Sequence, residues 1–505
     1  MGKYLQRRYM IVVGLILLTF SIIGCLTRNE KPNVLFIFAD QFRAQALGVN
    51  NEDPVMTPNL DRLASEGIMI THALSNTPLC SPYRAMLMTG KTPLHNRIRR
   101  NCWPDDVYDI RNTWEKTDLS VSDIIAENGY DAGYIGKLHL IAADAEAKTS
   151  AWTDYAKPDE KHGFNFWYVQ SKRKKGQFEN YYYVNDAPPD QLRRVDEWAS
   201  TYEADVIIDY LHDDTGQYRD AGKPFMLFWS PLPPHGPLSV SDEYLDMYNS
   251  KSREELLARE NVNLDMSYES DIDAHRKYKD SPQLLTEDKV QKYFAMVTAL
   301  DFEIGRVLTA LKDSGLEENT IVVFTSDHGE MLGSHGHVGK YVWLNESLRV
   351  PFIMRWPGKI PAGKRRHMVL NAYDIMPTLL GMVGLTSFIP EDIDGMDCSG
   401  KILTGNGASP DFGYYFKIGR SASSGGRRGI RTLTHTYVVS LDNSGGVKVK
   451  KYLYDDVNDP MQMNNLAGQS LNIELELDKK LITELEKSND PFVATYAEAA
   501  IGADR

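Results

Sequence analysis

Three stretches of apolar residues each deliver reactive side chains at their C-terminal end. Asn33–Ala39 runs into Asp40-Gln41, Thr320–Thr325 runs into Ser326-Asp327-His328-Gly329, and Pro224–Trp229 is followed by Pro233-Pro234-His235-Gly236-Pro237. Two carboxylates, an amide oxygen and an imidazole meeting at one point would hold a divalent cation, and a set dominated by oxygen favours a hard ion such as Ca²⁺ or Mg²⁺. Taken singly, an Asp after a strand is a turn residue or a helix cap. It is the coincidence of Asp40, Gln41, Asp327 and His328 that points to a metal site. A further segment, Cys80-Ser81-Pro82-Tyr83-Arg84-Ala85-Met86-Leu87-Met88-Thr89-Gly90, sets a proline two residues after a cysteine. Proline is favoured at the start of a helix, so Pro82 is expected to open one. Cys80 then lies at a helix N-terminus, where the dipole favours negative charge.

The elements that must position these groups read as follows. Short continuous apolar runs bounded by Pro, Gly or charge suit strands covered on both faces. Between them, Val290, Phe294, Val297, Leu300, Ile304, Val307, Leu308 and Leu311 follow helical spacing. Thr286 is placed to cap that helix and Gly315 to end it, which predicts a helix from about Thr286 to Leu316. Strands alternating with helices predict an α/β domain with a large, mostly parallel sheet sandwiched by helices. In such sheets, ligands gather outside the carboxyl ends of the strands. The 140–220 stretch is polar, aromatic and hard to assign. After residue 405 the texture changes: Gly413–Ile418, Ile430–Leu433, Tyr437–Leu441 and Val447–Tyr454 read as short strands, and Leu471–Glu486 as an amphipathic helix. The expected organisation is a catalytic α/β domain over 33–405 and a smaller antiparallel α+β subdomain over 406–505.

The Cys80 segment resembles the signature of the type I sulfatases, C-x-P-x-R followed five residues on by T-G. Gly136-Lys137-Leu138-His139 resembles that family's second motif, G-K-x-H, and the Asp40 strand, Pro234-His235, Asp327-His328-Gly329 and Lys340 fall in the family's order. The tail Leu453-Tyr454-Asp455, Asp459-Pro460 and Asn465-Leu466 resembles its C-terminal pattern. The resemblance implies an alkaline-phosphatase-like fold, a sulfatase activity, a divalent cation and conversion of Cys80 to formylglycine by a maturation enzyme. It also implies roles. Cys80, once converted, is nucleophile and metal ligand; Asp40, Gln41, Asp327 and His328 hold the cation; Arg84 steadies the nucleophile's oxyanion. Lys137 and Lys340 clamp sulfate oxygens, His139 takes a proton from the hydrate, and His235 protonates the departing alcohol. The chemistry fits a sulfate ester, since a thiol would leave a stable adduct whereas an aldehyde hydrate can expel sulfate and regenerate itself.

Two positions depart from the family pattern. Gln41 stands where many members have a second Asp, so the site loses one negative charge. His328 stands where many calcium sulfatases have Asn, and its softer nitrogen brings Mn²⁺ or Zn²⁺ into consideration; it also resembles the phosphonate monoester hydrolases. Calcium is the expected ion, with Mg²⁺ or Mn²⁺ as alternatives. Hydrolysis of a phosphonate or phosphate ester is the alternative activity.

Composition sets the surroundings. Over 505 residues the chain carries 56 Lys+Arg against 69 Asp+Glu, a formal charge of −13, and is 42% hydrophobic. This excludes a polytopic membrane protein and disfavours nucleic acid as a partner, without excluding a small cationic pocket. Lys3, Arg7 and Arg8 precede an apolar run from Met10 to Ile23, too short for a comfortable membrane span, that ends in Ile22-Ile23-Gly24-Cys25. This resembles a bacterial lipoprotein signal. It implies removal of 1–24, lipidation of Cys25, a tether over 25–32 and export to the periplasm or cell surface, with the lipid as the only membrane contact. Cys102 and Cys398 are left as plain thiols or a disulfide. The expected substrate is a sulfated carbohydrate. The segment Arg97-Ile98-Arg99-Arg100-Asn101 after the signature either reads a sugar carboxylate or a second sulfate, with Arg99, Arg100 and Asn101 as the candidates, or is a solvated basic turn. Trp103, Trp114, Trp152, Trp167, Tyr168, Tyr181, Tyr182 and Tyr183 either stack on sugar rings or fill the core.

Overall fold

The computed structural model describes residues 31–102, 113–142, 155–174, 176–213, 215–264, 280, 282–419, 425–442 and 447–503. The segment read as a lipoprotein signal, Cys25, Trp103 and Trp152 lie outside them. Among the described residues, no helix is long and apolar enough to cross a membrane.

The expected class is what the chain adopts: a mixed, mostly parallel sheet between helical layers, and a separate small antiparallel sheet. The large sheet has eleven strands among the described residues: β1 (Asn33–Ala39), β2 (Ile68–Leu74), β3 (Asp131–Gly136), β4 (Phe166–Lys174), β5 (Glu179–Val184), β6 (Arg193–Val195), β7 (Phe225–Ser230), β8 (Thr320–Ser326), β9 (Arg349–Val350), β10 (Phe352–Arg355) and β11 (Lys364–Asn371). Their order is β11-β2-β10-β8-β1-β7-β3-β4-β5-β6, with β9 paired to β2. The centre, β8-β1-β7-β3, is parallel throughout.

β1 is buried along its whole length because both faces are covered. Val34, Phe36 and Phe38 point into one core with the Cys80–Thr89 and Ile375–Met382 helices. Leu35, Ile37 and Ala39 point into the other, with the Pro58–Glu66, Ala199–Leu211 and Glu287–Asp313 helices. This two-residue alternation is why the run reads as continuously apolar.

The long helix spans Glu287–Asp313, after Thr286 as its N-cap residue, and the left-handed Gly315 (φ 72°) follows its end. The 140–220 stretch builds three strands, β4 to β6, on one side of the sheet and then the Ala199–Leu211 helix. Of its aromatics, Trp167, Tyr168, Tyr182 and Tyr183 are buried, as is Trp114, which stacks on His162 at 3.7 Å between ring centroids. They are core residues rather than an exposed sugar platform.

β12 (Gly413–Ile418), β13 (Gly426–Arg431), β14 (His435–Asp442) and β15 (Lys448–Asp455) form the small sheet. The expected Ile430–Leu433 strand is corrected to Gly426–Arg431. The strand starts at a glycine for a physical reason: Gly426 has φ 96° and lies so close to the Lys417 carbonyl that a Cβ would sit 2.0 Å from it. One face of this sheet covers Leu477, Leu481 and Leu485 of the Leu471–Lys487 helix. The other lays Tyr415, Val438, Tyr452 and Tyr454 against Trp343, Leu344 and Leu348 of the larger unit. Cys80, Cys102 and Cys398 are all buried free thiols.

Candidate active site

The four central parallel strands all end at one edge, and each delivers part of one cluster. β1 ends at Asp40-Gln41, β8 at Asp327-His328, β3 at Lys137 and His139, and β7 at Ser230 and the His235 loop. The main chain fixes these positions. The amide of Asp327 donates to Ala39 O (3.0 Å), that of Asp40 to Pro231 O (3.2 Å), and that of Lys137 to Ser230 O (2.9 Å). The two carboxylates are therefore set by extensions of the strand ladder rather than by free loops.

Cys80 enters from the helix Cys80–Thr89. This helix begins at Cys80 itself, with Pro82 third, still in the first turn where a missing N–H costs nothing. The Sγ atom lies 3.4 Å from each of His328 Nε2, Lys137 Nζ and Lys340 Nζ, and 3.8 Å from Asp40 Oδ1. Burial and Asp40 push the thiol up, but Lys137, Lys340 and His328 more than reverse this, and its pKa is lowered to about 5.

Lys137 Nζ donates to Asp40 Oδ2. Burial raises the Asp40 pKa, but Lys137, His235, Lys340 and His328 together hold it well below the ordinary carboxylate range. Asp327 is shifted up, by burial and by the Asp40 charge. The buried Arg84 guanidinium spans both carboxylates, donating from Nη2 to Asp327 Oδ2 (2.9 Å) and Asp40 Oδ2 (3.4 Å). Its Nη1 donates to Lys137 O and Ser230 Oγ, both at 2.6 Å. Its direct bonds are thus to the carboxylates and the strand ends rather than to Cys80.

His328 donates from Nδ1 to Gly329 O (3.0 Å), leaving Nε2 to accept from Lys340 Nζ (2.8 Å). His235 donates from Nδ1 to Gly236 O (2.7 Å), which puts its proton on Nδ1 in the neutral ring. His139 is buried, and burial with the charges of Lys137 and Arg84 drives its pKa well below the imidazole value, so it is neutral at neutral pH. Asp40, Cys80, Arg84, Lys137, His139, Asp327 and His328 are buried, whereas Gln41, His235 and Lys340 are half-buried and mark the open side of the cluster.

The donor set fits a divalent cation. Ligand atoms of Asp40, Cys80, Asp327 and His328 all lie within 4.8 Å of one another, the span that one ion with ~2.0–2.6 Å bonds can bridge. Gln41 Oε1 accepts from Lys340 Nζ (3.1 Å), and the same nitrogen lies 2.8 Å from His328 Nε2 and 3.4 Å from Cys80 Sγ.

The segment after the signature is fastened beside Cys80. The Ser81 amide donates to Asn101 Oδ1 (3.2 Å), the Cys102 amide donates to Ser81 Oγ (3.0 Å), and Ser81 Oγ donates to His139 O (2.6 Å). Asn101 therefore braces the start of the helix, and Arg99 and Arg100, both half-buried, lie next to it in the chain. Residues that sequence reasoning missed are Ser230, Gln177 and Glu330. Ser230 closes an apolar strand at the ligand-binding edge, and that position was the available signal; the other two carried none.

The sulfatase family pattern matches residues 32–385, and a second pattern, the C-terminal region of N-sulphoglucosamine sulphohydrolase, matches residues 333–490. An endo-4-O-sulfatase of Bacteroides thetaiotaomicron is 32% identical, over 92% of this chain and 93% of that protein. An ulvan-active sulfatase of Formosa agariphila is 30% identical, over 94% of this chain and 87% of that protein. A solved structure from Bacteroides fragilis, assigned as a sulfatase, superposes with a TM-score of 0.81 at 34% identity, covering 93% of this chain and 99% of that one. Signature, strand-end cluster and full-length likeness converge, and the chain belongs to the sulfatase family, as a sulfuric ester hydrolase on the alkaline-phosphatase-like fold.

Proposed function

We propose that this enzyme removes sulfate from a carbohydrate, with formylglycine made from Cys80 as its nucleophile and a divalent cation, Ca²⁺ before Mg²⁺ or Mn²⁺, held by Asp40, Gln41, Asp327, His328 and residue 80. The observation that carries this reading is Cys80 itself, buried at a helix N-terminus with two lysines and an imidazole each 3.4 Å from its sulfur. The names of the relatives, an endo-4-O-sulfatase and an ulvan-active sulfatase, support a carbohydrate as the sulfate carrier.

The residues divide the work by position. Formylglycine supplies a hydrated aldehyde oxygen, and the cation supplies charge that neutralises the sulfate. Lys137 and Lys340 approach residue 80 and gather the sulfate oxygens as charge builds on them. Arg84 bridges Asp40 and Asp327 and keeps both in place. His139, neutral by burial, is suited to accept a proton from the hydrate. His235, on the open side, is suited to protonate the departing alcohol through Nε2. Arg99, Arg100 and Asn101 are proposed to meet the sugar beyond the sulfate. Export as a lipoprotein anchored at Cys25, with a formylglycine-generating enzyme as maturation partner, completes the proposal.

The test is sulfate release from sulfated mono- and disaccharides of glycosaminoglycan, mucin and algal type, alongside 4-nitrophenyl sulfate and a phenylphosphonate monoester. Sulfate release from at least one sugar is expected. Turnover of the phosphonate far above every sulfate ester overturns the reading. Peptide mass spectrometry of protein from the native host should show residue 80 lighter than cysteine by about 18 Da, as sulfur gives way to oxygen with loss of two hydrogens. Unmodified Cys80 in active protein overturns the nucleophile assignment.

A further inference from the structure

Gln41 is held in an unusual way. Its backbone is in the left-handed region (φ 69°), which a non-glycine residue adopts only when its surroundings impose it. Its amide N–H donates to Asp327 Oδ1 (3.1 Å), and its carbonyl accepts from Tyr293 Oη (3.0 Å). Its side chain then bridges two groups of opposite charge: Nε2 donates to Glu330 Oε2 (2.5 Å), and Oε1 accepts from Lys340 Nζ (3.1 Å). These partners settle which end of the amide is which, since a carboxylate only accepts and an ammonium only donates.

Glu330 is buried, 5% exposed. Besides Gln41, it accepts from the amides of Gly339 (2.6 Å) and Leu332 (3.2 Å). It therefore ties down the loop that carries Lys340 while it orients Gln41. The pocket needs such a charge. Arg84, Lys137 and Lys340 bring three cationic side chains to a cluster whose ligands include two carboxylates, Asp40 and Asp327. A cation entering there is opposed unless another negative group contributes.

We infer that Glu330 is the positioning residue that makes Gln41 a competent metal ligand: it aims the amide oxygen at the cation site and, by accepting from Nε2, draws negative charge onto Oε1. A hydrogen bond from one end of an amide to a carboxylate polarises the other end, and such outer partners typically change metal affinity by about 10–100-fold. The inference rests on the reading of the cluster as a divalent-cation site.

The test is calorimetric titration of chelator-treated protein with Ca²⁺, Mg²⁺ and Mn²⁺ separately, read as affinity and independent of turnover. Wild type, Glu330→Gln and the exchanged pair Gln41→Glu/Glu330→Gln are compared. Glu330→Gln keeps the shape but leaves Gln41 bonded to a neutral oxygen, and affinity is expected to fall about tenfold or more. The exchanged pair puts the charge at position 41 with an amide donating to it, and affinity is expected to return to within about threefold of wild type. Glu330→Gln binding as tightly as wild type overturns the inference, as does failure of the exchanged pair to recover, which would assign Glu330 to loop packing alone. Absence of any cation binding by wild type instead overturns the metal-site reading beneath it. Should Glu330→Gln not fold, the exchanged pair carries the comparison alone, with near-wild-type affinity expected and a tenfold loss fatal.

Discussion

Gln177 donates from Nε2 to the backbone carbonyl of His235 at 3.0 Å, and from the same nitrogen to Pro237 O at 3.2 Å. The turn between β4 and β5 is thereby clamped to the loop that holds the proposed acid. Gly176 permits the approach: it has φ 73°, and a Cβ there would sit 2.4 Å from Ser239 Oγ. Gln177 is fully buried, so its loss removes from the interior the donor that these two carbonyls share. Gln177→Ala is expected to lower stability by about 1–3 kcal/mol and turnover on a sugar sulfate by roughly tenfold, with the fall in kcat exceeding any rise in KM. Gln177→Glu, which keeps the volume and loses the donors, is expected to behave alike. Steady-state kinetics beside thermal melting separates positioning from plain stability, since a merely structural residue would lower the melting temperature and leave kcat unchanged.

Arg84 bridges two buried carboxylates that would otherwise repel. It contacts Asp327 at 2.9 Å and Asp40 at 3.4 Å, and all three side chains are fully buried. Removing one partner of a buried pair leaves an uncompensated charge, typically at about 3–5 kcal/mol. Arg84→Met is expected to destabilise by roughly that amount and to abolish turnover. Arg84→Lys keeps the charge but cannot form a planar fork to both oxygens and Ser230, so it is expected to recover part of the stability and little activity. Urea denaturation midpoints of the three proteins check the order.

Much of this site was legible because the strands that carry it are fully covered. β1, β7 and β8 read as uninterrupted apolar runs, and the residue after each run faces the ligand edge. The Cys80 segment was legible for a different reason, since proline and a reactive side chain at fixed spacing define a helix start. β4 to β6 were not legible: they lie toward one side of the sheet, where Gln170, Ser171, Lys172, Arg173 and Lys174 interrupt the pattern, and β6 is three residues with only Val195 buried. The aromatics there were legible as large groups but not as core, because burial depends on partners far along the chain. The same holds for Gln177 and Glu330, whose partners His235 and Gln41 are 58 and 289 residues away in sequence. A carboxylate two residues after a histidine has no local signature. Its role exists only once Gln41 is in place.

Glu203 predicts how stability varies with pH. It is buried and accepts from Tyr182 Oη (3.0 Å) and Trp229 Nε1 (2.9 Å), and burial pushes its pKa up to about 8. Burial likewise raises Asp374 to about 7 and Asp301 to about 6. The folded protein thus holds protons that the unfolded chain has already released. The stability these groups contribute is complete below their unfolded pKa values of about 4, declines as pH rises above them, and is gone once pH has passed the folded ones, at about 6 for Asp301, about 7 for Asp374 and about 8 for Glu203. The melting temperature is expected to fall across this window, and Glu203→Gln, neutral at every pH, to flatten the fall by a few degrees. Scanning calorimetry from pH 5 to pH 9 on both proteins checks it; parallel curves would show that Glu203 does not bind the proton.

Gly136 ends β3 immediately before Lys137, and its approach to β7 sets how close two parts of the site can be. It has φ 100°, and a Cβ would lie 2.2 Å from Ser230 O, the carbonyl that accepts the Lys137 amide. Ser230 Oγ is also bonded to Arg84, so pushing these strands apart displaces the lysine and loosens the arginine together. Gly136→Ala is expected to destabilise by more than about 2 kcal/mol and to cut turnover severely. Gly129→Ala is the matched control, because Gly129 shares a left-handed backbone (φ 85°) but has nothing within 4 Å of its Cβ position. It carries the conformational strain without the collision, which costs about 1 kcal/mol, and it leaves the site untouched. Equal losses of stability and activity in the two variants would show that backbone conformation alone, and not the β3–β7 approach, accounts for the glycine at position 136.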